Sequence, residues 1–239
     1  MTATPAAAAG RGGPGSLALL KERVKSFAHG ALGPVVGTLA TLGVRADHVT
    51  WLGLVLGAGA GVAFFEGNSQ LAAALLAAGG LCDILDGELA RRSGVSSRYG
   101  AFLDSTLDRL SESAALAGIA GFGLRNLETL AAEPGLAAGE IQVGLYPVAW
   151  MALVLLAFLS LVGSFMVSYT RARAEGLGLE CRVGWFERPE RIVLLIAAGA
   201  LHVFWAMPVA LLLLTILSFT TAAQRVAHVW RHTRGAGRD

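Results

Sequence analysis

The sequence predicts an all-α integral membrane protein, and three observations favour this class: high hydropathy, scarce charge and recurring apolar segments. Of the 239 residues, 54% are hydrophobic and only 15% are charged, and the mean hydropathy is +0.60. A soluble domain typically carries about 25% charged residues. The apolar segments approach or exceed the ~20 residues that a helix needs to cross ~30 Å of hydrocarbon. We therefore expect six transmembrane helices, preceded by an N-terminal amphipathic juxtamembrane helix.

The N-terminal region divides into two parts. Residues 1–15 are rich in Ala, Gly and Pro and lack a long apolar core, which indicates a disordered tail rather than a signal peptide. In residues 16–45, Leu17, Leu20 and Val24 begin an apolar pattern with helical spacing. This juxtamembrane segment is expected to lie at the lipid headgroups. The alternative is a short helix packed on the protein's own surface.

Residues 46–228 are predicted to form one six-helix transmembrane domain, and residues 229–239 a basic cytoplasmic tail. The expected spans lie at about 48–66, 70–92, 98–124, 143–172, 189–204 and 206–228.

The distribution of charge predicts the orientation in the membrane. Lysine and arginine concentrate before the first span, between the second and third, between the fourth and fifth, and after the last. The opposite loops hold Glu66, Glu128, Glu133 and Glu140, with Arg125 as their single arginine. Cytoplasmic loops carry the excess of basic residues, so both termini and the Asp-rich end should face the cytoplasm of a cell-membrane protein. Membrane lipid is the expected surrounding, and we expect no nucleic-acid partner.

Four aspartates interrupt the apolar sequence around the second and third spans. Asp83 and Asp86 lie three residues apart, and Asp104 and Asp108 lie four apart, so each pair occupies one helix face. The short connection predicts an antiparallel hairpin in which the two faces meet. Burying four mutually repelling carboxylates near lipid requires a cation between them. Oxygen ligands favour Mg²⁺, Mn²⁺ or Ca²⁺, and two ions could clamp a pyrophosphate.

Two other interpretations are open from the residues alone. The acids could pair with Arg91, Arg92 and Arg109 without any metal. They could also line the path of a divalent-cation transporter, since intramembrane acids often do so. Against transport, ionisable groups are absent through most of the last three spans. We follow the metal-site interpretation.

The acidic motif also carries a resemblance. The string Asp83-x-x-Asp86-Gly87-x-x-Ala90-Arg91, then eight residues, then Gly100-x-x-x-Asp104-x-x-x-Asp108 resembles the complete signature of the CDP-alcohol phosphotransferases. Those enzymes have six membrane helices, transfer a phosphatidyl or phospho-alcohol group from a CDP-alcohol to a hydroxyl, and release CMP. The resemblance implies a catalytic six-helix domain and two Mg²⁺ or Mn²⁺ ions on Asp83, Asp86, Asp104 and Asp108. It makes Asp108 the best candidate for the general base.

Further positions match the nucleotide-binding residues of that family. Gly87, Ala90 and Arg91 correspond to positions that line the nucleotide pocket. Before the first span the family usually has Pro, then Asn or Asp, two residues, and Ser or Thr. Here Asp47 and Thr50 fit, whereas Ala46 stands in place of the proline. We expect Asp47 to contact the nucleotide and also to cap the N-terminus of the first span.

The arginine-rich segment after the fourth span predicts the acceptor. Guanidinium groups bind phosphate bidentately, and the segments 168–175 and 184–191 resemble those of bacterial enzymes that join CDP-diacylglycerol to inositol phosphate. The resemblance implies acceptor-phosphate contacts from Ser168, Arg171, Arg191 and Arg225. Arg171 stands where that branch tends to have Lys, so glycerol 3-phosphate or another phosphorylated polyol is the alternative acceptor.

Two further features leave alternatives open. Gly53, Gly57 and Gly61 recur at four-residue spacing, which favours close helix packing within the chain, although a homodimer contact would use the same spacing. Glu112 extends the acidic stripe one turn beyond Asp108, where it could pair with Arg109 or ligate a metal.

Overall fold

The computed structural model describes residues 33–92, 97–133, 135, 147–201, 203 and 205–235. All regular structure in this part of the chain is α-helical, which confirms the all-α part of the predicted fold class; the number of membrane spans and the amphipathic juxtamembrane helix stay predictions. The helices are α1 (residues 33–41), α2 (Ala46–Phe65), α3 (Ser69–Arg92), α4 (Arg98–Ala132), α5 (Pro147–Gly176), α6 (Arg188–Leu201) and α7 (Ala206–Gly235). The predicted tail at 1–15 and the first half of the juxtamembrane segment lie outside the described residues.

Each of the six predicted spans corresponds to one helix, from α2 to α7. Within the described residues, four helical stretches are long and apolar enough to cross a membrane: α2, α3, Val148–Gly176 of α5 and Ala206–Arg234 of α7. Helix α6 has 14 residues and is therefore about 21 Å long, short of the ~30 Å hydrocarbon core. Large apolar side chains are exposed on the surface, for example Val55 (63%), Leu155 (57%) and Ile216 (52%). This surface suits lipid, as expected of a membrane protein.

The principal contacts join helices α2 to α7 into a ring. In order around it, α2 packs on α3, α3 on α6, α6 on α7, α7 on α5, α5 on α4 and α4 on α2. A shared apolar core lies inside, with Phe64, Leu76, Leu116, Leu195 and Leu214 among its buried members. Although α3 and α4 are consecutive, their principal common neighbour is α2, so they do not form the tightly packed hairpin that the short connection predicted.

Glycines allow α2 and α4 to approach closely. A Cβ at Gly57 would overlap the Ser111 side chain, and one at Gly61 would overlap the Ala114 backbone. A Cβ at Gly118 would overlap the carbonyl of Gly61. Small residues let helix backbones meet in this way. The four-residue glycine spacing of α2 therefore packs within the chain, and the homodimer stays an untested prediction.

Candidate active site

Carboxylates from two helices meet beside a cleft that is lined by α2, α3, α4 and α6. Asp83 of α3 and Asp104 and Asp108 of α4 each offer an oxygen, and these oxygens lie within 4.8 Å of one another. The cleft is lined by Asp83, Asp86, Asp108 and Arg188, among others. The four-residue step places Asp104 and Asp108 on one face of α4, and this face meets Asp83 of α3.

The fourth aspartate is held by a hydroxyl of α2. Asp86 is 6% exposed, and the Thr50 hydroxyl donates to its Oδ2 over 2.7 Å. Thr50, which the sequence assigns to the nucleotide, therefore also orients a predicted metal ligand. Such supporting hydrogen bonds fix the direction of ligating carboxylates.

The acidic residues fit a hard divalent cation. Oδ1 of Asp104 is buried and has no hydrogen-bond partner within the described residues, and a buried acceptor of this kind is costly unless something binds it. The site offers only carboxylate oxygens, which suits Mg²⁺ or Mn²⁺ better than zinc. Asp83, Asp104 and Asp108 would share such an ion, with Asp86 one turn from Asp83.

An arginine that the sequence analysis did not assign lies among these acids. Arg188, the first residue of α6, pairs through one guanidinium nitrogen with Asp83 Oδ2 at 3.3 Å and through another with Asp108 Oδ1 at 2.8 Å. Its side chain is 22% exposed. Its sequence signal is its place in residues 187–191, Glu-Arg-Pro-Glu-Arg, a string for which the resemblance implied a role of Arg191 and not of Arg188.

The arginines suggested as alternative partners of the aspartates are engaged elsewhere. Arg91 donates to Glu88 at 2.9 Å, and Arg92 donates to the same carboxylate at 3.2 Å. Arg109 donates to the backbone carbonyl of Ser105, in its own helix. Within the described residues, the ion pairs to the acidic cluster come from Arg188 of α6, whose position no local pattern in α3 or α4 could reveal.

The predicted nucleotide residues lie along the ends of α2 and α3 that flank the cleft. Gly87, Ala90 and Arg91 lie in the last turns of α3, beyond Asp83 and Asp86. Asp47 is in the first turn of α2 and pairs with Arg45 at 2.9 Å. The prediction that Asp47 caps the helix is wrong, because Arg45 is the N-cap residue. An acid inside the first turn is instead favoured by the helix dipole.

Two of the predicted acceptor arginines converge on one carboxylate. Arg171 of α5 approaches Glu187 Oε1 at 3.6 Å, and Arg225 of α7 donates to the same oxygen at 3.1 Å. Arg225 also donates to the carbonyls of Val167 and Val183. Ser168 lies on α5 one turn before Arg171. Glu187 remains 45% exposed and directly precedes Arg188, so this basic pair adjoins the acidic cleft in the chain.

The remaining predicted acceptor residue, Arg191, is buried. It is 2% exposed and donates through two nitrogens to the oxygens of Glu112, at 2.6 and 2.8 Å. Ser164 donates to Glu112 at 2.8 Å. Glu112 therefore neither pairs with Arg109 nor joins the metal-site trio, the two roles that the sequence left open. Arg191 reaches no solvent-exposed ligand in this arrangement.

A comparison with protein families assigns the chain. Residues 44–226 match the model of the CDP-alcohol phosphatidyltransferase family, a range that includes the four aspartates and both basic segments. The chain belongs to the CDP-alcohol phosphatidyltransferase family. It is therefore an enzyme of metal-dependent phospholipid chemistry, and the cation-transporter interpretation is set aside.

Two proteins similar to this phosphatidyltransferase are named as archaetidylinositol or phosphatidylinositol phosphate synthases. It is 37% identical over 196 residues to the archaetidylinositol phosphate synthase of Methanothermobacter thermautotrophicus, covering 81% of this chain and 87% of that one. It is 33% identical over 207 residues to the phosphatidylinositol phosphate synthase of Mycobacterium marinum, covering 82% and 78%.

Solved structures agree with the fold of the phosphatidyltransferase. The crystal structure of Mycobacterium tuberculosis phosphatidylinositol phosphate synthase with CDP-DAG bound has a TM-score of 0.67 and 30% identity, covering 82% of this chain and 92% of that chain. A second structure of that enzyme, in complex with manganese and citrate, also has a TM-score of 0.67, with 29% identity, covering 82% and 88%. Manganese in a relative agrees with the divalent-cation fit of the aspartates.

Proposed function

We propose that this enzyme transfers the phosphatidyl group of CDP-diacylglycerol to a hydroxyl of a phosphorylated polyol, inositol phosphate, and releases CMP. The observation that carries the proposal is the arrangement of two adjoining sites of opposite charge: an acidic cleft for metal and pyrophosphate, and an arginine pair for an anionic acceptor. The names of the relatives support inositol phosphate as the acceptor.

In the proposed reaction, the acceptor hydroxyl attacks the phosphorus that bears diacylglycerol. A new O–P bond forms, the bond to the CMP phosphate breaks, and the hydroxyl proton passes to Asp108 as general base. Asp108 is one of the carboxylates that line the cleft, so its side chain is placed to accept the proton there. Divalent cations, when held by Asp83, Asp86, Asp104 and Asp108, would neutralise charge on the pyrophosphate.

The cytidine is assigned to the ends of α2 and α3. Gly87 and Ala90 have little or no side chain and would let the nucleotide approach the helix backbone. Arg91, whose side chain is 57% exposed, could exchange Glu88 for a phosphate oxygen. Asp47 and Thr50 would close the pocket from α2.

The acceptor phosphate is assigned to Arg171 and Arg225, with Ser168 beside them. Arg225 is 2% exposed, like Arg191, but its partner Glu187 is 45% exposed and contacts both guanidinium groups, so a single anion in the place of Glu187 would meet both. An incoming phosphate would take the place of Glu187 and add the charge-assisted hydrogen bonds typical of arginine. Arg191 could contribute directly only if its pair with Glu112 opened, and this contribution stays a prediction.

The proposal includes a membrane arrangement with six spans and the active site on the cytoplasmic side. The distribution of basic residues supports this arrangement. They cluster at the ends of α3, α5 and α7 and at the start of α6. This is the same end of the helix ring as the aspartates. Positive-inside bias favours the cytoplasm for such an end. CDP-diacylglycerol would then enter laterally, with its acyl chains in lipid and its headgroup at the cleft.

The deciding experiment is CMP release by the purified enzyme in detergent, with Mn²⁺ or Mg²⁺ and CDP-diacylglycerol, while the acceptor is varied. We expect CMP with inositol phosphate and little with inositol, which lacks the phosphate that Arg171 and Arg225 would bind. CMP with glycerol 3-phosphate alone would keep the chemistry and overturn the acceptor. Absence of CMP with every alcohol would contradict the proposed reaction.

A further inference from the structure

Within the part of the chain that the structure describes, Arg188 forms the ion pairs that reach the acidic cluster. It contacts a carboxylate of α3 and a carboxylate of α4 at once, Asp83 at 3.3 Å and Asp108 at 2.8 Å. The remaining nitrogen, Nε, is buried without a hydrogen-bond partner within the described residues. The guanidinium is therefore fixed by the two acids and by little else.

The N-terminus of α6, which carries Arg188 to the lining of the cleft, is anchored on both sides. The backbone N–H of Glu187 is capped by Glu190 at 3.1 Å, and Pro189 fits the first turn, where its missing N–H is not needed. One turn further, the buried pair between Arg191 and Glu112 fastens α6 to α4. Contacts before and after Arg188 in the sequence therefore hold the helix end that carries it.

Arg188 occupies carboxylate oxygens that a divalent ion would also use. The oxygens of Asp83 and Asp108 belong to the trio that lies within 4.8 Å, and the same two carboxylates accept the guanidinium. A divalent ion bound by the trio would sit close to a positive guanidinium, and two cations that share one set of oxygens repel each other.

We propose that Arg188 is a positioning residue that holds Asp83 and Asp108 together and competes with a divalent cation for their oxygens. Metal binding would displace the guanidinium from at least one carboxylate and free it for an anionic phosphate. The inference rests on the metal-dependent function proposed above. The test measures metal binding without any substrate, so its outcome does not depend on whether the protein transfers a phosphatidyl group.

The test is direct Mn²⁺ binding to the purified full-length protein, with free Mn²⁺ measured by its electron paramagnetic resonance signal. For Arg188→Gln we expect the Mn²⁺ dissociation constant to fall by about tenfold, because a half-buried competing charge is removed. Arg188→Lys keeps the charge and should stay near the unmodified protein. Arg182→Gln is the matched control, because Arg182 is a well exposed arginine that pairs with Glu180 on the preceding loop.

A second readout separates competition from a purely structural role. Arg188→Gln should lower the thermal unfolding midpoint in EDTA, where the acids lose their counter-charge, and saturating Mn²⁺ should restore most of the loss. An equal loss in EDTA and in Mn²⁺, or an unchanged or weaker Mn²⁺ affinity in Arg188→Gln, would overturn the proposal. If Arg188→Gln does not fold in EDTA, its behaviour in Mn²⁺ decides: folding in saturating Mn²⁺ is the expected result, and failure to fold in Mn²⁺ as well would contradict the proposal.

Discussion

Arg191 of α6 and Glu112 of α4 form a buried ion pair with two hydrogen bonds, at 2.6 and 2.8 Å. The two residues are 79 positions apart in sequence. Glu112 lies one helical turn after Asp108, and Arg191 lies one turn after Arg188. The pair therefore fixes the position of α6 along the axis of α4, and with it the position of Arg188 relative to the carboxylates. A buried pair of this kind matters chiefly because removing one partner leaves the other charge uncompensated.

Breaking this pair should destabilise the protein strongly. Glu112→Gln leaves Arg191 buried without its counter-charge, and we expect a loss of about 3–5 kcal/mol in the free energy of unfolding, measured by denaturant titration in detergent. Glu66→Gln is the control, because its pair with Arg125 is largely exposed and should contribute at most about 1 kcal/mol. Similar losses in both variants would contradict the structural role assigned to Glu112.

Asp108→Asn should abolish CMP release while the protein still binds CDP-diacylglycerol. An amide cannot accept the hydroxyl proton, and loss of a general base costs about 10²–10⁴-fold in rate. Turnover and nucleotide-lipid binding would be measured on the same preparation, with Glu133→Gln, at the far end of α4, as the control. Near-normal turnover would remove Asp108 from the role of base.

Thr50→Val should weaken metal binding without breaking the fold. The substitution keeps the shape of the side chain but removes the 2.7 Å hydrogen bond to Asp86, and losing a partner that orients a ligand costs about 10–100-fold in metal affinity. Thr50→Ser should restore the affinity because it restores the hydroxyl. If the Val and Ser variants bound Mn²⁺ equally, Thr50 would serve only the nucleotide.

Glu187→Gln should improve binding of the phosphorylated acceptor. Removing the carboxylate that Arg171 and Arg225 share leaves one nitrogen of each guanidinium group without its anionic partner, so the acceptor KM should fall about threefold or more while the KM for CDP-diacylglycerol stays constant. Glu180→Gln is the control, since Glu180 is an exposed carboxylate that pairs with Arg182.

Arg171→Ala should act in the opposite direction. Loss of one charged hydrogen-bond donor should raise the acceptor KM about tenfold. An unchanged KM in both Arg171→Ala and Glu187→Gln would move the acceptor site away from this basic pair.

Gly118→Ala should disturb the contact between α2 and α4. The added methyl would overlap the Gly61 carbonyl, and overpacking of this kind costs about 1–3 kcal/mol. Gly80→Ala is a matched control inside a neighbouring helix, because its Cβ would meet no atom within 4 Å and should be neutral or mildly stabilising. Comparable unfolding midpoints for the two variants would show that the crossing can relax.

The sequence alone determined the features that follow a regular spacing within one segment of the chain, namely the helices and their acidic faces. The apolar segments predicted the helices, and the spacing of Asp83, Asp86, Asp104 and Asp108 predicted one acidic face on each of two helices. The boundaries were less exact: α4 continues to Ala132 and α7 to Gly235, past the expected ends near 124 and 228. Hydropathy marks the part of a helix in lipid, whereas the hydrogen-bonded helix continues into water, where basic residues near the end of α7 suit its dipole.

Only the tertiary structure decided which partner each polar side chain takes. The sequence contained Arg188 and Arg191 in one short string but could not tell which faces the carboxylates and which pairs with Glu112. Nor could it tell that Thr50 would hold Asp86, or that Arg171 and Arg225 would share Glu187. The spacing of residues within a helix follows from its 3.6-residue period, but contacts between helices depend on their rotation and relative height, which the packing of the whole ring sets.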